Sequence, residues 1–115
     1  METLTWDSAL ASASATYASQ CVWAHDPTNG NNGWGENLAF SWSSQGSSIT
    51  TSALTGFVQA WYDEERDTQW SADGNGATSK VYADPSTQCL SPDGSGKCMI
   101  GHYTQVVWVN QKHIG

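Results

Sequence analysis

The sequence is poor in basic residues: it has only four lysines and arginines against eleven acidic residues, and a formal net charge of -7. Proteins that bind nucleic-acid backbones or anionic membrane surfaces do so largely through Lys and Arg, so we expect neither kind of partner. Charged residues of both signs together make up only 13% of the chain. This balance is compatible with a soluble extracellular protein or with a site for a cation.

The sequence also lacks a long apolar run. No segment approaches the roughly 20 apolar residues of a membrane-spanning helix, so no transmembrane segment is predicted. Near the first residue, Glu2 lies where an export signal has basic residues, and no apolar core follows it. We therefore expect no signal peptide within this chain.

Cysteine is scarce as well, and the three that occur form an odd set. Cys89 and Cys98 flank a turn-rich loop of Ser, Pro, Asp and Gly, which predicts a short-range disulfide between them. The alternative is that they are buried free cysteines. If the bridge forms, Cys21 is left without an internal partner.

What is present fits one secreted domain. A length of 115 residues allows a single modest core, and seven tryptophans accompany abundant Ser, Thr, Asn and Gly. Such a composition is typical of a secreted protein stiffened by aromatic side chains and loops. No internal repeat or domain boundary is visible, which predicts one domain over 1–115.

Two amphipathic helices are predicted. The first spans 6–20, with a single apolar stripe and Thr5 as its N-cap. The second spans 52–66 and ends in acidic residues, the unfavourable sign for that end of a helix dipole. Helical spacing alone does not choose between Glu64 and Glu65 as the inward-facing carboxylate.

A run of β-branched and aromatic residues, 101–109, lies near the end of the chain. These residue types favour strands, so 101–109 is predicted to be one strand, and a shorter extended segment is predicted at 80–83. His102 would then begin the strand on the face that also carries Trp108. At that position it is either a core histidine with satisfied hydrogen bonds or a residue of a site.

Two histidines and two carboxylates are the candidates for chemistry: His25, Glu36, His102 and one of Glu64 or Glu65. Brought together, they could bind a divalent metal, with the carboxylates orienting the imidazoles, or could act in general acid–base catalysis. Glu36 precedes an apolar run, so we expect it to be partly buried beside a proton donor or a cation. Sequence spacing does not show that the four residues meet, because no local zinc or nucleophile motif is present.

A Ser-rich loop follows Glu36 and contains three large apolar residues, Phe40, Trp42 and Ile49. These side chains are either plugs of the core or an exposed patch for a lipid or a protein partner. The residues alone leave both interpretations open.

Motifs that occur in order through most of the chain resemble the CAP superfamily (cysteine-rich secretory proteins, antigen 5, pathogenesis-related 1). The run Gly-His-Tyr-Thr-Gln-Val-Val-Trp at 101–108 resembles the family signature. Gly-Glu-Asn at 35–37 and Trp-Tyr-Asp-Glu at 61–64 resemble two further motifs, and His25 follows a cysteine at family spacing. Residues 4–11 resemble the entry to the second family helix.

The resemblance implies an α+β fold, an α-β-α sandwich with a central antiparallel sheet. It implies a partial domain over 1–115, truncated at both ends, without the first family helix and the C-terminal strands. The partner of Cys21 would lie in the absent C-terminal part. The short-loop cysteines correspond to Cys89 and Cys98.

For the site, the resemblance implies that His25, Glu36, Glu64 and His102 converge in one cleft (the tetrad), which favours Glu64 over Glu65. It also implies that the tetrad can hold zinc or another divalent metal. No catalytic residue is implied, so we expect a binding protein and not an enzyme.

For function, the resemblance implies a secreted, extracellular protein that binds a sterol or fatty acid through the loop of Phe40, Trp42 and Ile49. One alternative is a defence-related or effector module that recognises a partner protein, with a purely structural tetrad. A less favoured alternative is a metal-dependent hydrolase in which Glu64 or Glu36 acts as base.

Overall fold

The computed structural model describes residues 3–44, 49–108 and 110–115. Its elements follow the chain as β1 (Thr5–Trp6), α1 (Ser8–Ala18), α2 (Asn29–Asn32), α3 (Thr51–Asp63), a 3₁₀ turn (Glu64–Asp67), β2 (Thr68–Trp70), β3 (Ala77–Ser79), α4 (Pro85–Gln88), α5 (Gly101–Val106) and β4 (His113–Ile114). Helices and short strands together agree with the predicted α+β class. The sandwich with a central antiparallel sheet stays a prediction.

The chain divides into two compact units. Unit 1 comprises Met1–Leu38 and Val107–Gly115, and unit 2 comprises Ala39–Val106. Each unit has its own two-stranded sheet, β1 with β4 in unit 1 and β2 with β3 in unit 2. The single partial domain over 1–115 stays a prediction.

Unit 1 joins the two ends of the chain through a parallel strand pair. Thr5 pairs with His113 and Trp6 with Ile114. The Thr5 hydroxyl also donates to the carbonyl of Lys112 over 3.0 Å. These bonds place the start of α1 beside the last residues of the chain.

The first predicted helix, 6–20, is real but shorter, because α1 spans Ser8–Ala18. The prediction of Thr5 as its N-cap is wrong. The Asp7 carboxylate caps the helix instead, accepting the backbone N–H of Ala9 at 2.8 Å and of Leu10 at 3.2 Å. Thr5 and Trp6 lie in β1, so strand pairing with the distant C-terminal segment sets where the helix begins.

Unit 2 is built around α3, whose N-cap Thr50 accepts the N–H of Ala53 through its hydroxyl oxygen. The predicted helix 52–66 is therefore confirmed in position, but its last turn tightens into the 3₁₀ turn Glu64–Asp67. β2 and β3 then form an antiparallel pair in which Thr68 is opposite Ser79. The extended segment predicted at 80–83 is wrong, because the strand ends at Ser79.

The predicted strand over 101–109 is also wrong for the residues that the structure describes: Gly101–Val106 form the helix α5, and Val109 lies outside the described residues. The reason is a tertiary contact. The buried Glu64 carboxylate accepts the backbone N–H groups of His102 and Tyr103, which have no acceptor within the first turn of a helix. This contact outweighs the β preference of the side chains, which depends strongly on context.

The core of the described residues lies in unit 2 and contains both apolar and polar groups. Cys98 and Tyr103 are its buried apolar side chains, and Glu64, Asp67 and Thr68 are buried polar ones. Cys89 and Cys98 form a disulfide, as the sequence predicts. Cys21, in unit 1, carries an exposed thiol. None of the described helices combines the length and apolar character needed to cross a bilayer.

Candidate functional site: two histidine–glutamate pairs

The first pair of predicted ligands, His25 and Glu36, is formed within unit 1. Nδ1 of His25 lies 2.8 Å from Oε1 of Glu36. The Glu36 side chain is 18% exposed, whereas the His25 side chain is 68% exposed. The partly buried carboxylate therefore holds an imidazole that lies largely in solvent.

The environment of Glu36 fixes the carboxylate in place. The backbone N–H of Asp26 lies 3.3 Å from each of its oxygens, and the Asn29 side-chain amide donates to Oε2. Asn29 is supplied by the short helix α2, which ends at Gly33 in the left-handed conformation that glycine adopts most readily. The expected proton donors around this carboxylate are thus present.

Tyr17 connects α1 to the same loop. Its hydroxyl lies 3.0 Å from the carbonyl oxygen of Ala24 and 3.1 Å from that of His25. Desolvation raises the pKa of Tyr17, and the negative charges of Asp26 and Glu36 raise it further. Tyr17 therefore remains a neutral donor at physiological pH and supports the backbone that carries His25.

The second pair, Glu64 and His102, is formed within unit 2 and is more deeply buried. Nδ1 of His102 lies 2.7 Å from Oε1 of Glu64. Oε2 accepts the backbone N–H of His102 at 3.1 Å and that of Tyr103 at 3.2 Å. The side chains are 4% and 28% exposed for Glu64 and His102. One carboxylate thus holds both the ring and the first turn of its helix.

Aromatic side chains enclose this second pair. The indole of Trp61 is stacked on the His102 ring, with centroids 6.0 Å apart and planes 18° from parallel. Tyr62 and Trp70 meet the Tyr103 ring edge-on. The structure also answers the choice that helical spacing leaves open, because Glu65 is exposed whereas Glu64 is buried against His102.

Asp67 is a buried residue that the sequence analysis does not single out. It is fully buried, and its carboxylate accepts the Tyr82 hydroxyl at 2.8 Å and the Leu90 backbone N–H at 3.0 Å. Burial raises the pKa of Asp67, but the hydrogen bonds from Leu90 and Tyr82 and the Arg66 guanidinium outweigh it and hold the pKa below its usual range. The only signal for Asp67 in the sequence is that acidic residues lie at the C-terminal end of a predicted helix, where the helix dipole disfavours negative charge.

A different cluster has the spacing of a metal site, but its chemistry does not fit one. Asp67, Cys89 and Cys98 have ligand atoms within 4.8 Å of one another. Both sulfurs are in the disulfide, so neither is the thiolate that a metal requires. This cluster gives no support for a metal, and the expected site remains the tetrad.

The three apolar residues of the predicted lipid-binding loop are exposed. Phe40 is 67%, Trp42 81% and Ile49 58% exposed to solvent. They are therefore not buried core plugs, one of the two interpretations that the sequence allows. Two open surface depressions, one along α1 and one beside Tyr62 and Leu90, are lined by other residues.

The whole chain, residues 1–115, matches the family model described as the cysteine-rich secretory protein family, CAP. Among curated proteins, it is 36% identical over 118 residues to human cysteine-rich secretory protein LCCL domain-containing 2; the match covers 100% of this chain and 20% of that protein. It is 31% identical over 121 residues to human peptidase inhibitor 15, covering 100% of this chain and 38% of that protein.

A third similar protein is salivary antigen-5 of Dipetalogaster maximus, 32% identical over 117 residues, covering 97% of this chain and 38% of that protein. The chain thus spans between about a fifth and two fifths of the length of these relatives. No solved structure matches it significantly.

Proposed function

Because this chain belongs to the cysteine-rich secretory protein (CAP) family, we propose that it is part of a secreted binding protein that carries a sterol or a fatty acid. Its two histidine–glutamate pairs are proposed to form a site for zinc or another divalent metal. No catalytic role is assigned to either pair. The description of the family as secretory supports the proposed extracellular location.

The exposure of the loop carries the lipid part of the proposal. Three large apolar side chains of the predicted lipid-binding loop, Phe40, Trp42 and Ile49, each expose more than half of their surface. Exposed apolar groups that cluster in one region commonly mark a binding surface, since leaving them in water costs about 25 cal/mol per Å² of apolar area. A sterol or acyl chain would remove this area from water.

The donor set of the two pairs fits a metal. An ionised carboxylate only accepts hydrogen bonds, so each ring donates from Nδ1, and Nε2 is then the nitrogen with a lone pair for a metal. Carboxylates that orient ligating histidines in this manner are usual around zinc. His25 and His102 would hold the ion, and Glu36 and Glu64 would fix their ring orientation. The convergence of both pairs on one ion remains part of the proposal.

The lipid proposal is tested by energy transfer from tryptophan to a fluorescent sterol. Phe40→Ser combined with Trp42→Ser should weaken saturable transfer at least tenfold, because the apolar contact area of the loop is lost. Trp6→Ser is the matched control: it also removes one exposed tryptophan, so both variants have the same number of donors. A fluorescent fatty acid is titrated in parallel.

Equal sterol and fatty-acid affinities in the loop variant and the wild type would reject this loop as the lipid site. Absence of transfer in the wild type, with tryptophan emission typical of buried indole, would reject the lipid carrier altogether. The same exposed loop would then favour recognition of a partner protein. One relative bears the name peptidase inhibitor, which describes an action on a protein.

A further inference from the structure

A closed chain of bonds surrounds the Glu64–His102 pair in unit 2. It runs from Glu64 along the 3₁₀ turn to Asp67, whose Oδ2 accepts the backbone N–H of Leu90 at 3.0 Å. Leu90 is next to Cys89, and Cys89 is bonded to Cys98. The backbone from Cys98 then leads to His102, which returns to Glu64 through the 2.7 Å bond of Nδ1.

We propose that Asp67 is a positioning residue, and that with the Cys89–Cys98 disulfide it closes a ring that sets the geometry of Glu64 against His102. This proposal adds a positioning residue to the proposed metal site, and its biological role rests on that proposed function. Asp67 does not touch His102; it acts through the turn that carries Glu64.

The first argument is the placement of Asp67 in the turn. Glu64 and Asp67 are the first and last residues of a single 3₁₀ turn, and both are buried. In such a turn, residues three apart lie on the same side, so fixing one fixes the direction of the other. The Thr68 hydroxyl, just after the turn, donates to the Glu64 carbonyl at 3.0 Å and holds the same backbone.

The second argument is that the 3₁₀ turn is attached to the segment 88–90 at two points. Besides the Asp67–Leu90 bond, Nη2 of Arg66 donates to the carbonyl of Gln88 at 2.6 Å. The attachment at Gln88 is one residue before Cys89, and the attachment at Leu90 is one residue after it. The disulfide therefore transmits their position directly to Cys98.

The third argument is that Cys98 is itself fixed. It is buried, and its carbonyl accepts the Ser79 hydroxyl at 2.6 Å. Met99 donates its backbone N–H to Ser91 at 2.8 Å, so the loop between the two cysteines is closed by hydrogen bonds as well. Only a short backbone segment separates this fixed point from His102. A rigid ring of this kind leaves the imidazole little freedom to leave Glu64.

The test uses the imidazole itself, in metal-free protein. Nitrogen-15 NMR reports which ring nitrogen of His102 carries the proton, and amide exchange reports the Tyr103 N–H that Glu64 accepts. In Asp67→Ala, which leaves no side-chain acceptor for the Leu90 N–H, we expect His102 to lose the fixed Nδ1–H form and the Tyr103 amide to exchange about fivefold to tenfold faster. Asp73→Ala, in an exposed turn of the same unit, should leave both unchanged.

His25 provides an internal control. It pairs with Glu36 through the same Nδ1 contact but lies in unit 1, outside the ring. Cys89→Ser combined with Cys98→Ser opens the ring at a second point and should change His102 in the same way. Combining these substitutions with Asp67→Ala should add little, because a ring is already open after one break.

Several results would overturn the proposal. They are an unchanged His102 in Asp67→Ala, equal changes at His25 and His102, and additive effects of the two ring openings. If Asp67→Ala fails to fold, the double cysteine variant opens the same ring at the disulfide, and an unchanged His102 in that variant would also overturn the proposal. These measurements use metal-free protein. A failure to bind zinc would therefore reject the proposed metal site without contradicting the positioning role of Asp67.

Discussion

At the scale of single residues, Glu36 and Glu64 each hold an imidazole by Nδ1, but with very different burial. Glu36 holds a ring that is mostly in solvent, whereas Glu64 holds one that is 28% exposed and stacked against Trp61. Holding a ligand in its binding geometry lowers the entropy lost on binding. His102 is therefore the better preorganised of the two proposed metal ligands.

A residue-scale prediction concerns zinc. His25→Ala and His102→Ala should each weaken zinc binding at least tenfold, and the double variant should abolish it, because the proposed imidazole ligands are lost. Isothermal calorimetry measures the affinity. His113→Ala is the control, since the third histidine of the chain belongs to β4. A double variant that binds zinc as the wild type does would show that the metal assignment is wrong.

A second residue-scale prediction concerns Asp67 and acid. Asp67→Asn should lower the free energy of unfolding at pH 7 by roughly 1–3 kcal/mol, because the neutral amide has one acceptor oxygen for the two donors of Leu90 and Tyr82 and loses the ion pair with Arg66. The lowered pKa of Asp67 gives the sign of the pH effect. The carboxylate's contribution is fully present above the unfolded-state pKa of about 3.9 and is lost as the pH falls through the folded-state pKa.

Urea unfolding at pH 7 and at a series of lower pH values measures this effect. The difference between wild type and Asp67→Asn should shrink as the pH falls below about 4. The pKa values of Asp73, Asp84 and Asp93 are also lowered by their hydrogen bonds, and taking the difference between the two proteins removes their contribution. A gap that widens on acidification would contradict the low folded-state pKa.

At the scale of elements, contacts between distant segments decide where helices begin. Residues 101–106 have strand-like composition, yet they form α5 because Glu64, 38 positions earlier, accepts the first N–H groups of the helix. The composition of α1 is recognisable along the sequence, but its start depends on β1 pairing with β4. A local pattern therefore predicts that a helix exists more reliably than where it starts.

The element-scale prediction tests the cap of α1. Asp7→Ala should destabilise unit 1 by about 1 kcal/mol, because the N–H groups of Ala9 and Leu10 lose their acceptor. Helical circular dichroism during thermal unfolding measures the loss. Ser8→Ala, one residue later, leaves the Asp7 cap in place and should have a much smaller effect. If the two substitutions destabilised the protein equally, Asp7 would not be the residue that caps α1.

At the scale of the whole molecule, a net charge of -7 affects how the protein meets a lipid surface. Like charges repel, and the repulsion extends over a Debye length of about 10 Å at 0.1 M salt. Because it is acidic, the proposed lipid carrier should therefore approach neutral bilayers more readily than anionic ones. The exposed loop supplies apolar contact without the basic residues that anchor proteins to anionic lipid.

The corresponding prediction uses vesicles. Uptake of a fluorescent sterol should be slower from phosphatidylserine-containing vesicles than from phosphatidylcholine vesicles, and the difference should shrink as salt is raised from about 0.05 to 0.5 M. Stopped-flow energy transfer measures the rates. Faster uptake from the anionic vesicles would show that a local basic contact dominates over the net charge.

The sequence by itself determined the family, the α+β class, the two long helices and the Cys89–Cys98 bridge. It also identified His25, Glu36, Glu64 and His102 as candidate site residues, because they belong to motifs that can be recognised by their order along the chain. The tertiary structure alone decided how deeply Glu64 is buried against His102, that 101–106 is helical, and that Asp67 accepts hydrogen bonds from Tyr82 and Leu90. These outcomes depend on contacts between residues far apart in the chain, which local composition and periodicity do not encode.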